Sequence, residues 1–193
     1  MDLEALRTGP LADVSDPAAV VSSTVAFHGR VWDIRTETAR FADGEITRDY
    51  VSHTGAVAVL AIDDNDRVLL INQYRHPIRE RIWELPAGLL DVDGEPPLEA
   101  AKRELAEETD LAAREWTPLV TFTTSPGGSN EVVHLFEARG LSAAPTAHER
   151  TEEESEIVVR WVDLDDVVAA IFDGRLHNGP VMIGALAARA RRE

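Results

Sequence analysis

The densest set of reactive side chains in this chain is Arg103-Glu104-Leu105-Ala106-Glu107-Glu108. Carboxylates at i, i+3 and i+4 share one face of a helix. Glu104 and Glu108 stand one above the other, with Glu107 beside them. Like charges so placed repel one another and weaken a bare helix. Clustered hard oxygen donors are what Mg²⁺ or Mn²⁺ requires, and a divalent cation would remove the repulsion. For Glu107 and Glu108 alone, a solvated acidic face is the competing reading. The context argues against it: a Gly-containing turn before, an arginine inside and an apolar stripe alongside.

Leu85-Pro86-Ala87-Gly88 reads as a strand end entering a loop. Pro86 removes a donor, and Gly88 permits backbone geometry that other residues resist. Such a loop can aim a carbonyl, for example that of Ala87, at a cation. Gly94, Pro96 and Pro97 close the loop and start the helix, where proline is tolerated. Leu98, Ala101 and Leu105 form the stripe that anchors the helix to a core.

Other candidates lie on either side. Arg75, Arg79 and Arg81 crowd one expected loop of a chain with 35 acidic and 19 basic residues. The planar guanidinium fork matches phosphate, so this loop suits a pyrophosphate, with salt bridges to acids as the alternative. Ser125 to Glu131 (SPGGSNE) is a tight loop able to approach a ligand closely, or an ordinary hairpin turn. Glu152, Glu153 and Glu154 are consecutive and cannot all face one site. Their segment, Pro145 to Ser155, reads as a polar loop.

These residues need a scaffold. Residues 1–18 read as a loosely held arm. Residues 19–54 read as an antiparallel meander, with strands over Val21 to Phe27, Val31 to Thr38 and Glu45 to Val51. Trp32 falls in the second of these. Residues 55–193 form the main domain. Ala56 to Ile62 is a continuous apolar run, as in a central buried strand, and Val68 to Tyr74 returns beside it. Trp116 to Thr123, Val132 to Ala138 and Ile157 to Val162 add strands. Helices are expected over Leu164 to Phe172 and Pro180 to Arg192. The pattern is mixed α/β without internal repeats.

Composition narrows the function. The net charge of -16 repels nucleic acid and anionic membrane. There is no cysteine, so disulfides and thiol chemistry are excluded. No apolar run is long enough for a transmembrane helix, and no secretory signal is visible. The default expectation is a soluble cytoplasmic protein.

The central stretch resembles the Nudix box, Gly-x5-Glu-x7-Arg-Glu-apolar-x-Glu-Glu-x-Gly-apolar. Gly88, Glu95, Arg103, Glu104, Leu105, Glu107, Glu108 and Leu111 match it. There are two departures. Six residues separate Gly88 from Glu95, and Asp110 replaces the glycine near the helix end. That position calls for a left-handed backbone, which Asp tolerates better than most residues. Neither departure removes a ligand. Gln73-Tyr74-Arg75, Trp83 to Gly88 and Ser125 to Gly128 resemble the ADP-ribose-hydrolysing branch of the Nudix family.

The resemblance implies an α/β/α sandwich around a mixed sheet, with an N-terminal antiparallel β extension that forms a homodimer. It implies one to three Mg²⁺ ions (Mn²⁺ as alternative) on Glu104, Glu107, Glu108 and the Ala87 carbonyl. Arg103 would buttress the glutamates and Arg75 would bind phosphate. Trp32 would stack on adenine, and Arg48 would approach the substrate. Gly127 and Gly128 would line the ribose-phosphate site, with Glu131 on a sugar hydroxyl. The catalytic carboxylate would be Glu154, with Glu153 next and Glu156 still open. The implied reaction splits ADP-ribose into AMP and ribose 5-phosphate. The alternatives are another nucleotide sugar, such as ADP-glucose or GDP-mannose, and a non-catalytic ADP-ribose sensor.

Overall fold

The computed structural model describes residues 7–146, 148 and 156–192. It divides into two compact units, residues 1–52 and 53–193.

The first unit is a three-stranded antiparallel meander of β1 (Ala19–Phe27), β2 (Asp33–Phe41) and β3 (Gly44–Ser52), in the order β1-β2-β3. A two-residue turn, Ala42-Asp43, joins β2 to β3, with Phe41 opposite Gly44. Polar pairs tie the strands together: Thr36 Oγ1 donates to Asp49 at 2.5 Å, and Ser23 Oγ donates to Glu37 at 2.8 Å. No strand residue of this unit is buried, and Val20, Val21, Phe27 and Phe41 are exposed. One expectation is corrected here. Trp32 lies just before β2 rather than within it. The β1–β2 connection occupies residues 28–32 and turns tightly. A Cβ on Gly29 would sit 2.1 Å from the Trp32 carbonyl oxygen, so the turn needs glycine and holds Trp32 out of the strand.

The second unit holds β4 (Ala56–Ala61), β5 (Arg67–Arg75), β6 (Glu80–Glu84), β7 (Ala87–Leu89), β8 (Leu111–Thr123), β9 (Val132–Ala143) and β10 (Val158–Asp163). Its helices are α1 (Pro97–Thr109), α2 (Leu164–Phe172) and α3 (Gly179–Ala190). One sheet runs β7-β4-β9-β8, the other β10-β5-β6. β4 and β9 are parallel and the remaining pairs antiparallel, so the architecture is mixed.

β4 explains the layering. Successive side chains point to opposite faces of a strand. Val57, Val59 and Ala61 pack with Ala100, Ala101 and Leu105 of α1. Ala58 and Leu60 pack with Val167 and Ile171 of α2 and with Val181 and Ala185 of α3. A strand covered on both faces must be apolar throughout, and β4 is. The result is the α/β/α arrangement. Among the described residues, no helix is long and apolar enough to cross a membrane.

α1 starts with Pro97 in its first turn and ends at Asp110, whose φ of 57° and ψ of 28° are left-handed. The Asp110 N–H closes the last turn on the Ala106 carbonyl at 2.9 Å. The expected left-handed position is therefore present, with Asp in place of glycine.

Candidate active site

Arg103 is the hub. Its Nε and Nη2 form a fork on Glu95, at 3.2 and 3.0 Å. Its Nη1 donates to Glu104 at 2.5 Å and to Glu107 at 3.1 Å. The Glu95 hydrogen bond is the largest effect raising the guanidinium pKa above its ordinary value; burial opposes it and Glu104 adds to it. Arg103 therefore stays charged and gathers three carboxylates from two turns of chain.

β7 closes the other side. The Ala87 N–H donates to Glu108 Oε2 at 2.9 Å, and Glu108 is buried. Gly88 lies against Glu104: a Cβ there would stand 2.1 Å from the Glu104 carboxyl carbon. This corrects the reason given for Gly88. It lies in strand β7, not in a loop, and its φ is not positive. Close approach of a carboxylate demands the missing side chain.

Among the described residues, no three His, Asp or Glu side chains converge as a ready-made cation cage. The donor chemistry nonetheless fits a divalent cation. Glu104, Glu107 and Glu108 are hard oxygen donors within two turns of helix, and the Glu104 carboxylate fills the space that a side chain at position 88 would take.

The arginine-rich segment is a hairpin rather than a loop. Arg75 ends β5, Arg81 belongs to β6, and Arg79 sits in the intervening turn with φ of 57°. Arg75 is held by Glu84 in a bidentate pair, Nε to Oε1 at 2.9 Å and Nη2 to Oε2 at 2.6 Å. The pairs Ile71–Glu84 and Arg75–Glu80 are directly opposed, so Arg75 and Glu84 share a face with Leu69, which packs on α1. Gln73 lies on that face too, with its Oε1 buried and without a hydrogen-bond partner among the described residues. Arg81 pairs with Glu156.

Residues 125–128 form a turn, with Gly128 N–H and Ser129 N–H both donating to the Ser125 carbonyl at 2.9 Å. A Cβ on Gly127 or Gly128 would meet nothing within 4 Å, so internal sterics do not explain the pair. Glu131 closes the loop and accepts from Thr124 Oγ1 at 2.5 Å. Arg48 and Trp32 belong to the first unit. There Arg48 Nη1 donates to the Thr47 carbonyl at 2.8 Å, and Trp32 is exposed. Glu153 and Glu154 lie outside the described residues.

A cavity of about 430 Å³ occurs elsewhere, lined by Leu70, Trp83, Arg160, Val162 and α2. Leu70 and Val162 alternate with Leu69 and Trp161, which pack toward α1, so the cavity opens on the opposite face of the sheet. It is not the carboxylate site. Sequence reasoning missed Glu84 and His53. An acid inside the apolar run Ile82 to Leu85 was a usable signal for Glu84; nothing local marked His53.

The family profile of the NUDIX domain matches residues 52–182. The chain belongs to the Nudix family. It is 40% identical over 173 residues to an ADP-ribose pyrophosphatase of Mycobacterium tuberculosis (strain ATCC 25618 / H37Rv), an alignment covering 88% of this chain and 82% of that protein. It is 39% identical over 153 residues to an ADP-ribose pyrophosphatase of Bacillus subtilis (strain 168), covering 79% and 82%. A solved structure titled "Crystal structure of ADP compounds hydrolase" superposes with a TM-score of 0.76 at 18% identity, over 93% of this chain and 96% of that one, and so shares its fold.

Proposed function

We propose that this protein hydrolyses the diphosphate linkage of ADP-ribose, releasing AMP and ribose 5-phosphate. The observation that carries the reading is the Arg103 knot: one arginine gathering Glu95, which precedes α1, with Glu104 and Glu107 of α1, the helix whose Glu108 clasps β7. The two relatives named ADP-ribose pyrophosphatase support the substrate.

Glu104, Glu107, Glu108 and the Ala87 carbonyl would hold the divalent cation, Mg²⁺ by preference and Mn²⁺ as alternative. Bound there, the cation supplies charge neutralisation on the diphosphate and a water of lowered pKa. The chain's own residues do the rest. Arg103 keeps the glutamates aligned. Arg75, steadied by Glu84, offers positive charge to a phosphate on the α1 face of the sheet. Gly127 and Gly128 admit the ribose phosphate, and Glu131 takes a sugar hydroxyl. Glu154, or Glu153, holds and accepts the proton of the attacking water. Trp32 stacks on adenine, with Arg48 nearby, in a homodimer built on the first unit. The exposure of that unit's Val20, Val21, Phe27 and Phe41 supports the dimer.

The test is a panel of ADP-ribose, ADP-glucose and GDP-mannose with Mg²⁺, products resolved by chromatography. AMP and ribose 5-phosphate, formed fastest from ADP-ribose, is the expected result. Faster cleavage of another nucleotide sugar would overturn the substrate assignment. Tight ADP-ribose binding without turnover of anything would mark a sensor.

A further inference from the structure

The His53 side chain is 6% exposed at the entry to β4. Its Nδ1 accepts the Gly55 N–H at 2.9 Å. A ring nitrogen that accepts a backbone N–H carries no proton, so the proton resides on Nε2. That Nε2 stands 3.6 Å from Glu131 Oε1, a dipole-to-carboxylate contact longer than a hydrogen bond. The other Glu131 oxygen accepts from Thr124 Oγ1. The backbone adds a second staple, since the His53 N–H donates to Asn130 Oδ1 at 2.7 Å. Ala56 and Val133 are register partners in the parallel β4–β9 pair, which brings residues 53–55 and 130–131 to the same sheet end. Val57 pairs in turn with Gly88, so this end adjoins the carboxylate site.

We propose that His53 is a positioning residue. As the neutral Nε2–H tautomer it orients the Glu131 carboxylate and thereby sets the enzyme's grip on the terminal sugar. The first half is a statement about the resting protein. The second rests on the reading of Glu131 given under the proposed function. Gly55 supports the design: its φ of +94° lets the chain double back so that its N–H meets the imidazole.

Two substitutions separate the imidazole's contacts. Asn at 53 keeps an acceptor for Gly55 but cannot reach Glu131; Gln keeps a donor at the Nε2 position. His53→Asn should raise KM for ADP-ribose roughly threefold, the low end for one lost polar contact, with kcat within about twofold. His53→Gln should restore most of that loss. Inhibition by ribose 5-phosphate should weaken in His53→Asn while inhibition by AMP stays as in wild type. Adding Glu131→Gln to His53→Asn should cost little more than either alone. Nitrogen NMR of the resting protein should report His53 as the Nε2–H tautomer. An Nδ1–H tautomer, unchanged KM in His53→Asn, equal weakening by both products, or full additivity with Glu131→Gln would each overturn the proposal. Failure of the wild type to cleave ADP-ribose would instead overturn the proposed function, taking the sugar-gripping half with it, while the tautomer result still decides the first half.

Discussion

The two units of this chain use β-strands in opposite ways. In the second unit β4 is buried on both faces, with Val57 to Ala61 inaccessible to solvent. In the first, three nine-residue strands contain no buried side chain. β4 is fixed by apolar packing between helices, whereas the meander is fixed by its ladder and by side-chain pairs such as Thr36–Asp49. The contrast teaches where precision comes from. The carboxylates sit on α1, which is anchored to β4, and sub-ångström placement is easier on a rigid core than on an open sheet.

Gly88→Ala probes the core side hardest. Its Cβ would displace the Glu104 carboxylate, so turnover should fall about a hundredfold, while overpacking costs roughly 1–3 kcal/mol. Steady-state kinetics beside thermal melts would separate the two; wild-type turnover would break the claim that close approach explains the glycine. Leu60→Ala, in the centre of β4, should lower stability by about 2–5 kcal/mol in urea unfolding. A loss under about 1 kcal/mol would contradict the role of β4 as the core strand.

Asp63, in the turn after β4, tests electrostatics in the same unit. Burial raises its pKa, but hydrogen bonds from Arg67 and from the Asn65 N–H outweigh that and hold it below the ordinary value of 3.8. A carboxylate depressed in the folded state adds stability above its unfolded pKa and loses it as pH falls through the folded one. Asp63→Asn should therefore lower Tm at pH 7, by the equivalent of about 1 kcal/mol, with the gap closing below pH 3.8. A gap independent of pH would contradict it. The smallest effect belongs to the meander. Phe41→Ser should change the stability of the dissociated protomer by under about 0.5 kcal/mol and should weaken the proposed homodimer in analytical ultracentrifugation. A self-association constant equal to that of wild type would contradict the covering of that face by a second chain.

The same contrast governs what could be read from sequence. β4 was legible because burial on both faces leaves an uninterrupted apolar run. α1 was legible because its carboxylates, stripe and proline start obey one period, and Asp110 because a left-handed end admits few residue types. Trp32 was misplaced because the tight turn at Gly29 depends on a backbone approach that composition does not encode. Arg75 was read as a loop residue because His76-Pro77 resembles a loop, although the chain makes only a four-residue turn there. Gly88 was recognised for the wrong reason, since contact with Glu104 sixteen residues away has no local trace. His53 was invisible for the same cause: its partners at Gly55, Asn130 and Glu131 meet only once β4 and β9 align.

The most direct test compares ADP-ribose turnover by wild type and Glu108→Gln, with Mg²⁺ and again after EDTA. Circular dichroism would verify that both proteins are folded. The account predicts AMP and ribose 5-phosphate from the wild type with metal, and a loss of about a thousandfold in Glu108→Gln, since several kcal/mol of transition-state stabilisation depend on that carboxylate. Turnover that survives EDTA, or a Glu108→Gln protein as active as wild type, would contradict it.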